Sequence, residues 1–323
     1  MQRTFITFCL IVSSIATTFA QAGFAPAYPL ELGIQLGTSH FLGDLGGQRG
    51  IGRPFLRDTE LKAIRPIIGV FGRYNVGAHF AARLDLNFLM LAGNDSWAGE
   101  ALGFSPDDIA KTDDAWFRYY RNLDFRTNVF EASLAGEIIP YNFELGGGYQ
   151  EYSVLSPYAF IGVSLFHFNP QGLSPDGGWI PLKPLATEGQ GIVDGRVPYS
   201  LWQINVPLGF GLKWMYNDAW ALSLEVGHRL TFTDYIDDVS TDYVDPTIFS
   251  TNLNPTDAAL ASIMARKSVL IDPSLVNGAV SAPGAQRGDP KDNDSYYTIS
   301  IRFSYFIDPG SIGGGRRYGC PVW

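Results

Sequence analysis

The sequence predicts an all-β fold: a single transmembrane antiparallel up-and-down β-barrel of about eight strands, with long extracellular loops and periplasmic termini. Three observations carry this expectation. Long segments alternate apolar and polar residues with period two. Beyond residue 20 no run of about 18 or more apolar residues appears, so no helix of the mature chain would cross a bilayer. Finally, 36 glycines and 14% aromatics accompany only 17% charged residues, a mix that glycine-kinked strands and aromatic girdles produce.

Residues 1–20 read as a secretory signal peptide. Arg3 supplies a basic start, Phe5 to Ile15 an apolar stretch, and small residues precede Thr18-Phe19-Ala20, with cleavage before Gln21. Cys9 lies inside the apolar stretch rather than just behind a cleavage point, which argues against a lipid anchor. Without Arg3 the chain keeps 22 of its 23 basic residues against 32 acidic ones, a net charge of −10. Such a balance argues against nucleic acid as a partner. Cys320 is the one cysteine left after cleavage, so no internal disulfide framework can form.

Residues 21–29 form a periplasmic lead, and 30–307 carry the barrel. Its expected strands are Leu30 to Phe41, Pro66 to Asn75, His79 to Leu91, Asp124 to Ile138, Ser156 to Phe168, Trp202 to Trp214, Trp220 to Phe232 and Ser295 to Phe306. The sixth and seventh are the clearest. Trp202, Ile204, Val206, Leu208, Phe210, Leu212 and Trp214 alternate with small or polar residues, and the stretch from Trp220 to Phe232 does the same. Asn217-Asp218 between them marks a tight turn. At about 13 residues each, these strands exceed the 5 to 6 usual in soluble proteins and suit a tilted membrane strand of about 9 to 11 residues plus its ends.

Connections alternate in length. Short turns at Val76 to Ala78 and Met215 to Ala219 contrast with loops at about 42–65, 93–122, 169–199 and 234–294, the pattern of outer-membrane barrels. The medium connection from Tyr141 to Leu155, with Gly146-Gly147-Gly148, falls on the periplasmic side. Within the loops, Asn254-Pro255 followed by Asp257-Ala258-Ala259-Leu260 signals a capped helix, as does Ser105-Pro106-Asp107-Asp108. After Phe306, Pro309 stops the last strand, and residues 308–323 form a glycine-rich periplasmic tail.

Chemistry-bearing residues fall into three groups. Glu31, Arg83, Asp85, Glu131, Glu225, Arg229 and Arg302 take inward positions on several strands and form a polar network filling the lumen. Asp234, Asp237, Asp238, Asp242 and Asp245 crowd the start of the longest loop. Their oxygen chemistry suits calcium, yet the Asp-x-Asp-x-Asp-Gly frame is absent, and a solvated acidic loop edge is the expectation. Arg316, Arg317, Tyr318, Cys320 and Trp323 cluster in the tail as a docking peptide for a periplasmic partner. His40, His79, His167 and His228 lack zinc spacing. His228 with Thr231 is a weak catalytic pair in search of a motif, so catalytic, cofactor and metal residues are all expected to be absent.

Two runs and a tail motif then carry a resemblance: Glu31 to Gly47 (Glu-Leu-Gly-Ile-Gln-Leu-Gly-Thr-Ser-His-Phe-Leu-Gly-Asp-Leu-Gly-Gly), Leu230 to Ser240 (Leu-Thr-Phe-Thr-Asp-Tyr-Ile-Asp-Asp-Val-Ser) and Gly319-Cys320-Pro321. The chain resembles the PorG-like outer-membrane barrels of Bacteroidota over nearly its whole mature length. That resemblance implies a non-enzymatic barrel in the outer membrane, belonging to a type IX protein secretion apparatus and associated with a periplasmic lipoprotein and ring proteins. Outer-membrane lipid and the barrel-assembly machinery are the other expected partners. The competing expectation is a surface-exposed barrel whose acidic loops bind a ligand or ion, with a lipid-modifying enzyme as a third.

Overall fold

Period-two alternation places successive side chains on opposite faces of a strand, and in the computed structural model it produces two faces of opposite character. The structure describes residues 29–45, 61–97, 114–145, 153–271 and 280–307. Its long strands are β1 (Leu30–Leu42), β2 (Arg65–Val76), β3 (Phe80–Asn94), β4 (Asp124–Ile138), β5 (Ser153–His167), β6 (Trp202–Met215), β7 (Trp220–Thr231) and β8 (Ser295–Ile307). Each pairs antiparallel with its neighbour in sequence. β1 and β8 then pair from Leu30↔Ile307 to Leu42↔Ser295 and close the sheet. The result is a closed eight-strand barrel with no free long edge, which is the condition for a sheet to cross hydrocarbon.

The outward register is apolar: Leu134 is 58% exposed, Ile161 62% and Phe210 63%. The inward register holds charge, with Glu31, Arg73 and Arg302 essentially inaccessible. A water-soluble protein places these types the other way round. A continuous apolar belt around a polar interior is the surface of a membrane barrel.

Local chemistry explains the joins. Gly77 takes φ +78° in the β2–β3 turn, a conformation that costs an L side chain and suits glycine. Asn217 Oδ1 accepts from the backbone N–H of Ala219 and of Trp220, both at 2.9 Å, and so tightens the β6–β7 turn. Two inward glycines leave room for rings that cross the bore. A Cβ on Gly211 would lie 2.4 Å from the Tyr158 ring, and one on Gly33 would lie 2.6 Å from the Phe71 ring.

β5 begins at Ser153, earlier than the expected Ser156, because a short strand at Phe143–Leu145 pairs with it from Phe143↔Leu155 to Leu145↔Ser153. The long loops are folded bodies at the other end. They carry α1 (Asp114–Arg121), a small hairpin of Gln171–Leu173 with Trp179–Pro181, α2 (Thr247–Asn252) and α3 (Pro255–Ala265). Asn254 caps α3 by accepting from Asp257 N at 2.9 Å, with Pro255 opening the helix. Leu182, Leu185, Val244, Phe249, Ala258, Ala261 and Met264 give this cap a core of its own. Residues 1–28, 308–323, Ser105-Pro106 and Gly146 to Gly148 lie outside the described residues, and with them the signal peptide, most of the lead, the tail and one of the two expected helix starts.

Leu134 sits midway along the apolar stretch of β4 from Phe130 to Ile138. Leu134→Arg is therefore expected to destabilise the barrel by about 2–4 kcal/mol, the cost of a cation facing lipid near the midplane. Urea unfolding in phospholipid vesicles measures this, and an unchanged midpoint would place Leu134 outside the hydrocarbon.

Candidate functional site

Every strand sends at least one polar side chain into the bore, and these meet in two bonded clusters, one above the other. Nearest the short turns, Glu31 of β1 accepts from Arg73 at 3.0 Å, Lys213 at 2.9 Å, Asn75 at 2.7 Å and Ser304 at 3.1 Å. Glu137 bridges Arg73 at 3.0 Å and Arg83 at 2.5 Å. Arg83 also reaches Asp85 at 2.9 Å and Glu225 at 2.7 Å, while Arg302 joins the same two carboxylates at 2.8 and 3.2 Å. Tyr158 of β5 donates to Glu225 at 2.8 Å. Higher up, Glu131 accepts from Arg229 at 3.3 Å, Asn87 at 3.0 Å and Tyr296 at 2.7 Å.

Glu31, Asp85, Glu131, Glu137 and Glu225 thus face Arg73, Arg83, Lys213, Arg229 and Arg302, five carboxylates against five cations. Rings brace the arginines as well. Arg302 lies 4.7 Å from the Phe71 centroid and Arg83 4.7 Å from that of Phe160, a favourable cation–π arrangement. All seven lumen residues singled out from the sequence stand in these two clusters, which also include Arg73, Glu137 and Lys213. Glu137 shares the inward register of Glu131 six residues on, and Lys213 the polar face of β6, so their parity was available. Arg73 was harder, because β2 carries Ile67 and Phe71 inward and Ile68 and Val70 outward, which blurs the alternation.

Above the charges the bore turns apolar. Leu89, Leu91, Phe125, Val129, Phe166 and Phe168 pack with Ile236 and Val239 of the last loop and with Tyr199. The bore is therefore closed twice, by paired charge and then by a hydrophobic plug. A small barrel of this strand number has an interior that side chains can fill.

Removing one partner of a buried pair leaves an uncompensated charge, which typically costs about 3–5 kcal/mol. Glu225→Gln strips Arg83 and Arg302 of a shared carboxylate. It is expected to lower stability by about that amount, seen as a reduced urea midpoint and as loss of the folded band in unheated gel electrophoresis. An unaltered midpoint would mean the network contributes nothing at Glu225.

The acidic stretch behaves differently from a solvated edge. Asp234, Asp237 and Asp238 are buried, because the loop folds back over the barrel mouth instead of standing in water. Asp237 accepts from Leu45 N at 3.1 Å and Val239 N at 2.9 Å, and Asp294 from Ile236 N at 2.8 Å. Asp238 accepts from Tyr199 at 2.7 Å and Thr187 at 2.5 Å. Asp242 pairs with Arg196 at 2.7 Å, and exposed Asp245 accepts from Thr247 N at 2.9 Å at the start of α2. Among the described residues no group of three or more acidic, His or Cys side chains is arranged to hold a metal ion.

Burial raises these carboxyls, Asp44 and Asp238 to about 6 and Asp234 to about 8. Asp237 and Asp294 rise well above the ordinary range, by burial first and then by the neighbouring carboxylates, Asp44 for the former and Asp237 for the latter. Folded-state values above the unfolded ones mean the folded cap holds more protons. Its stability is full below about pH 4 and falls as pH rises through about 6 and then 8. Amide exchange in residues 233–245, corrected for intrinsic rates, should thus accelerate between pH 5 and pH 8. Asp234→Asn with Asp237→Asn should flatten that slope, and a slope unchanged in the double variant would assign it to other groups.

Expected residues elsewhere are not brought together. His228 lies on the outward register of β7, whereas Thr231 points inward and bonds backbone oxygens of Thr233 and Asp294. Alternation separates the two by a sheet face, so the His228 and Thr231 pair is not assembled. Arg316, Arg317, Tyr318, Cys320 and Trp323 lie outside the described residues.

No family model and no curated protein matches the chain. Among solved structures it is similar to Ail, the attachment invasion locus protein of Yersinia pestis, at 9% identity and TM-score 0.34, over 86% of this chain and 98% of that one. Neisserial surface protein A gives 8% identity and TM-score 0.34 over 86% and 97%. OprG of Pseudomonas aeruginosa gives 10% and 0.32 over 86% and 96%. The barrel assignment rests on the closed strand order and the inverted faces.

Proposed function

We propose that this outer-membrane barrel is a non-enzymatic anchoring component of a type IX protein secretion apparatus, holding a periplasmic lipoprotein and ring proteins through residues 308–323. The observation that carries the reading is the filled bore. Five paired charges of each sign and an apolar plug occupy the bore, which supports placing function at the two rims. At the short-turn rim Leu30 pairs with Ile307, and short turns lie on the periplasmic side of such barrels, which supports a periplasmic start for the tail. Arg316, Arg317, Tyr318, Cys320 and Trp323 give that segment charge, aromatic surface and one thiol for a protein partner. The resemblance of Glu31 to Gly47, Leu230 to Ser240 and Gly319-Cys320-Pro321 to PorG-like barrels supplies the apparatus.

The test is co-purification from crosslinked envelopes. The full chain is expected to recover the lipoprotein and ring proteins, and a chain ending at Asp308 to lose them while its barrel still inserts. Cys320→Ser separates covalent from non-covalent tethering on non-reducing gels. Equal recovery from the shortened chain, or recovery of assembly chaperones alone, would sink the anchoring role.

A second reading gives the function to the folded loop cap, which would bind a ligand or an ion at the cell surface. Deletion of Asp237 to Asp292 discriminates. Loss of secretion or surface binding without loss of barrel insertion would favour the cap, and insensitivity to the deletion would point to the tail.

A further inference from the structure

The lipid-facing surface is not uniform. On the outer face of β2 to β5 an apolar groove of about 420 Å³ is lined by Ile68, Val70, Leu86, Phe130, Ala132 and Leu165. A second cavity of about 250 Å³ lies on the same side toward the long loops, lined by Arg65, Met90, Trp97, Arg126, Asn128 and Trp179 among others. Phe88 and Phe130 form the outward pair in the groove, and Met90 and Asn128 are the next outward pair of the same two strands. The cavity therefore stands directly above the groove, one step closer to the rim.

Its two arginines are held in place by rings and neutral oxygens. Arg126 lies 4.3 Å from the centre of the Trp179 ring and donates to Gln171 at 3.2 Å. Arg65 lies 5.8 Å from the Trp97 ring and donates to the carbonyls of Lys62 and Ile64, both at 2.8 Å. Among the described residues neither has a carboxylate partner. The carboxylate that does line the cavity, Asp124, is matched by Lys267 at 2.5 Å. Two guanidinium groups with no carboxylate partner among the described residues thus flank a cavity rimmed by Trp97 and Trp179, side chains that prefer the boundary between hydrocarbon and headgroups. Guanidinium is the side chain best shaped to bind phosphate through paired hydrogen bonds.

We propose that this surface binds a phosphorylated acyl lipid of the outer leaflet, with its phosphate between Arg65 and Arg126 and an acyl chain in the groove below. Charge complementarity identifies the head, and the apolar continuation along β3 and β4 identifies the tail. Long loops face outward in such barrels, which puts the site in the leaflet that carries phosphorylated glycolipid. The assignment does not depend on the secretion reading.

Native mass spectrometry of the detergent-solubilised barrel tests it, with diphosphoryl lipid A, its enzymatically dephosphorylated form and inorganic phosphate as probes. One diphosphoryl lipid A is expected to stay bound per barrel, at least tenfold more tightly than the dephosphorylated form. Arg65→Gln with Arg126→Gln should abolish that preference, and Ala132→Trp, which fills the groove, should weaken retention while the arginines remain. Both variants alter exposed or half-exposed positions, and heat-dependent gel mobility checks that they fold. The wild-type comparison of the two lipid forms needs no variant. Equal retention of both forms would overturn the proposal. So would binding that inorganic phosphate displaces and that ignores Ala132→Trp, since it would describe a free-anion pocket.

Discussion

Five carboxylates and five cations share the interior of this barrel, and their mutual pairing is what allows the strands to close around them. Each charge alone would carry a desolvation cost of several kcal/mol. Arg83 illustrates the solution, touching Asp85, Glu137 and Glu225 at once. Because every strand contributes, the network also ties the register of one strand to that of the others. A slip of one residue would carry the charges to the lipid face and the leucines into the bore.

The same arrangement fills the bore with side chains. A water-filled channel needs a wider ring or smaller side chains, and here Phe71, Tyr158 and Phe160 cross the bore where Gly33, Gly211 and Gly209 make space. The hydrophobic plug of Phe125, Phe166 and Phe168 adds a second closure under the folded loops. The remaining surfaces are the rim where β1 begins and β8 ends, the loop cap, and the lipid-facing flank below Trp97 and Trp179.

The cap differs from the bore in how it treats charge. Inside the bore acids meet bases, whereas Asp44, Asp234, Asp237 and Asp294 approach one another with fewer cations nearby. Arg121 is engaged with Asp95 and Arg287 with Glu188, so the aspartates are relieved mainly by protons and backbone N–H groups. The loops are consequently a part of the molecule whose stability falls as pH rises.

The sequence by itself determined the barrel class, the strand sites, the tight Asn217 turn and the capped helix at Asn254, because each depends on near neighbours along the chain. Alternation likewise marked the inward faces that carry Glu31, Arg83 and Arg302, since parity is a local property. Tertiary structure alone decided which charges pair, that Arg73 on the doubly apolar β2 belongs among them, and that the acidic stretch is buried. It also decided that His228 and Thr231 lie on opposite faces of the sheet and that Arg65 and Arg126 flank one cavity. These depend on closure of the sheet and on loops returning across the mouth, contacts between residues dozens to hundreds of positions apart that no local pattern encodes.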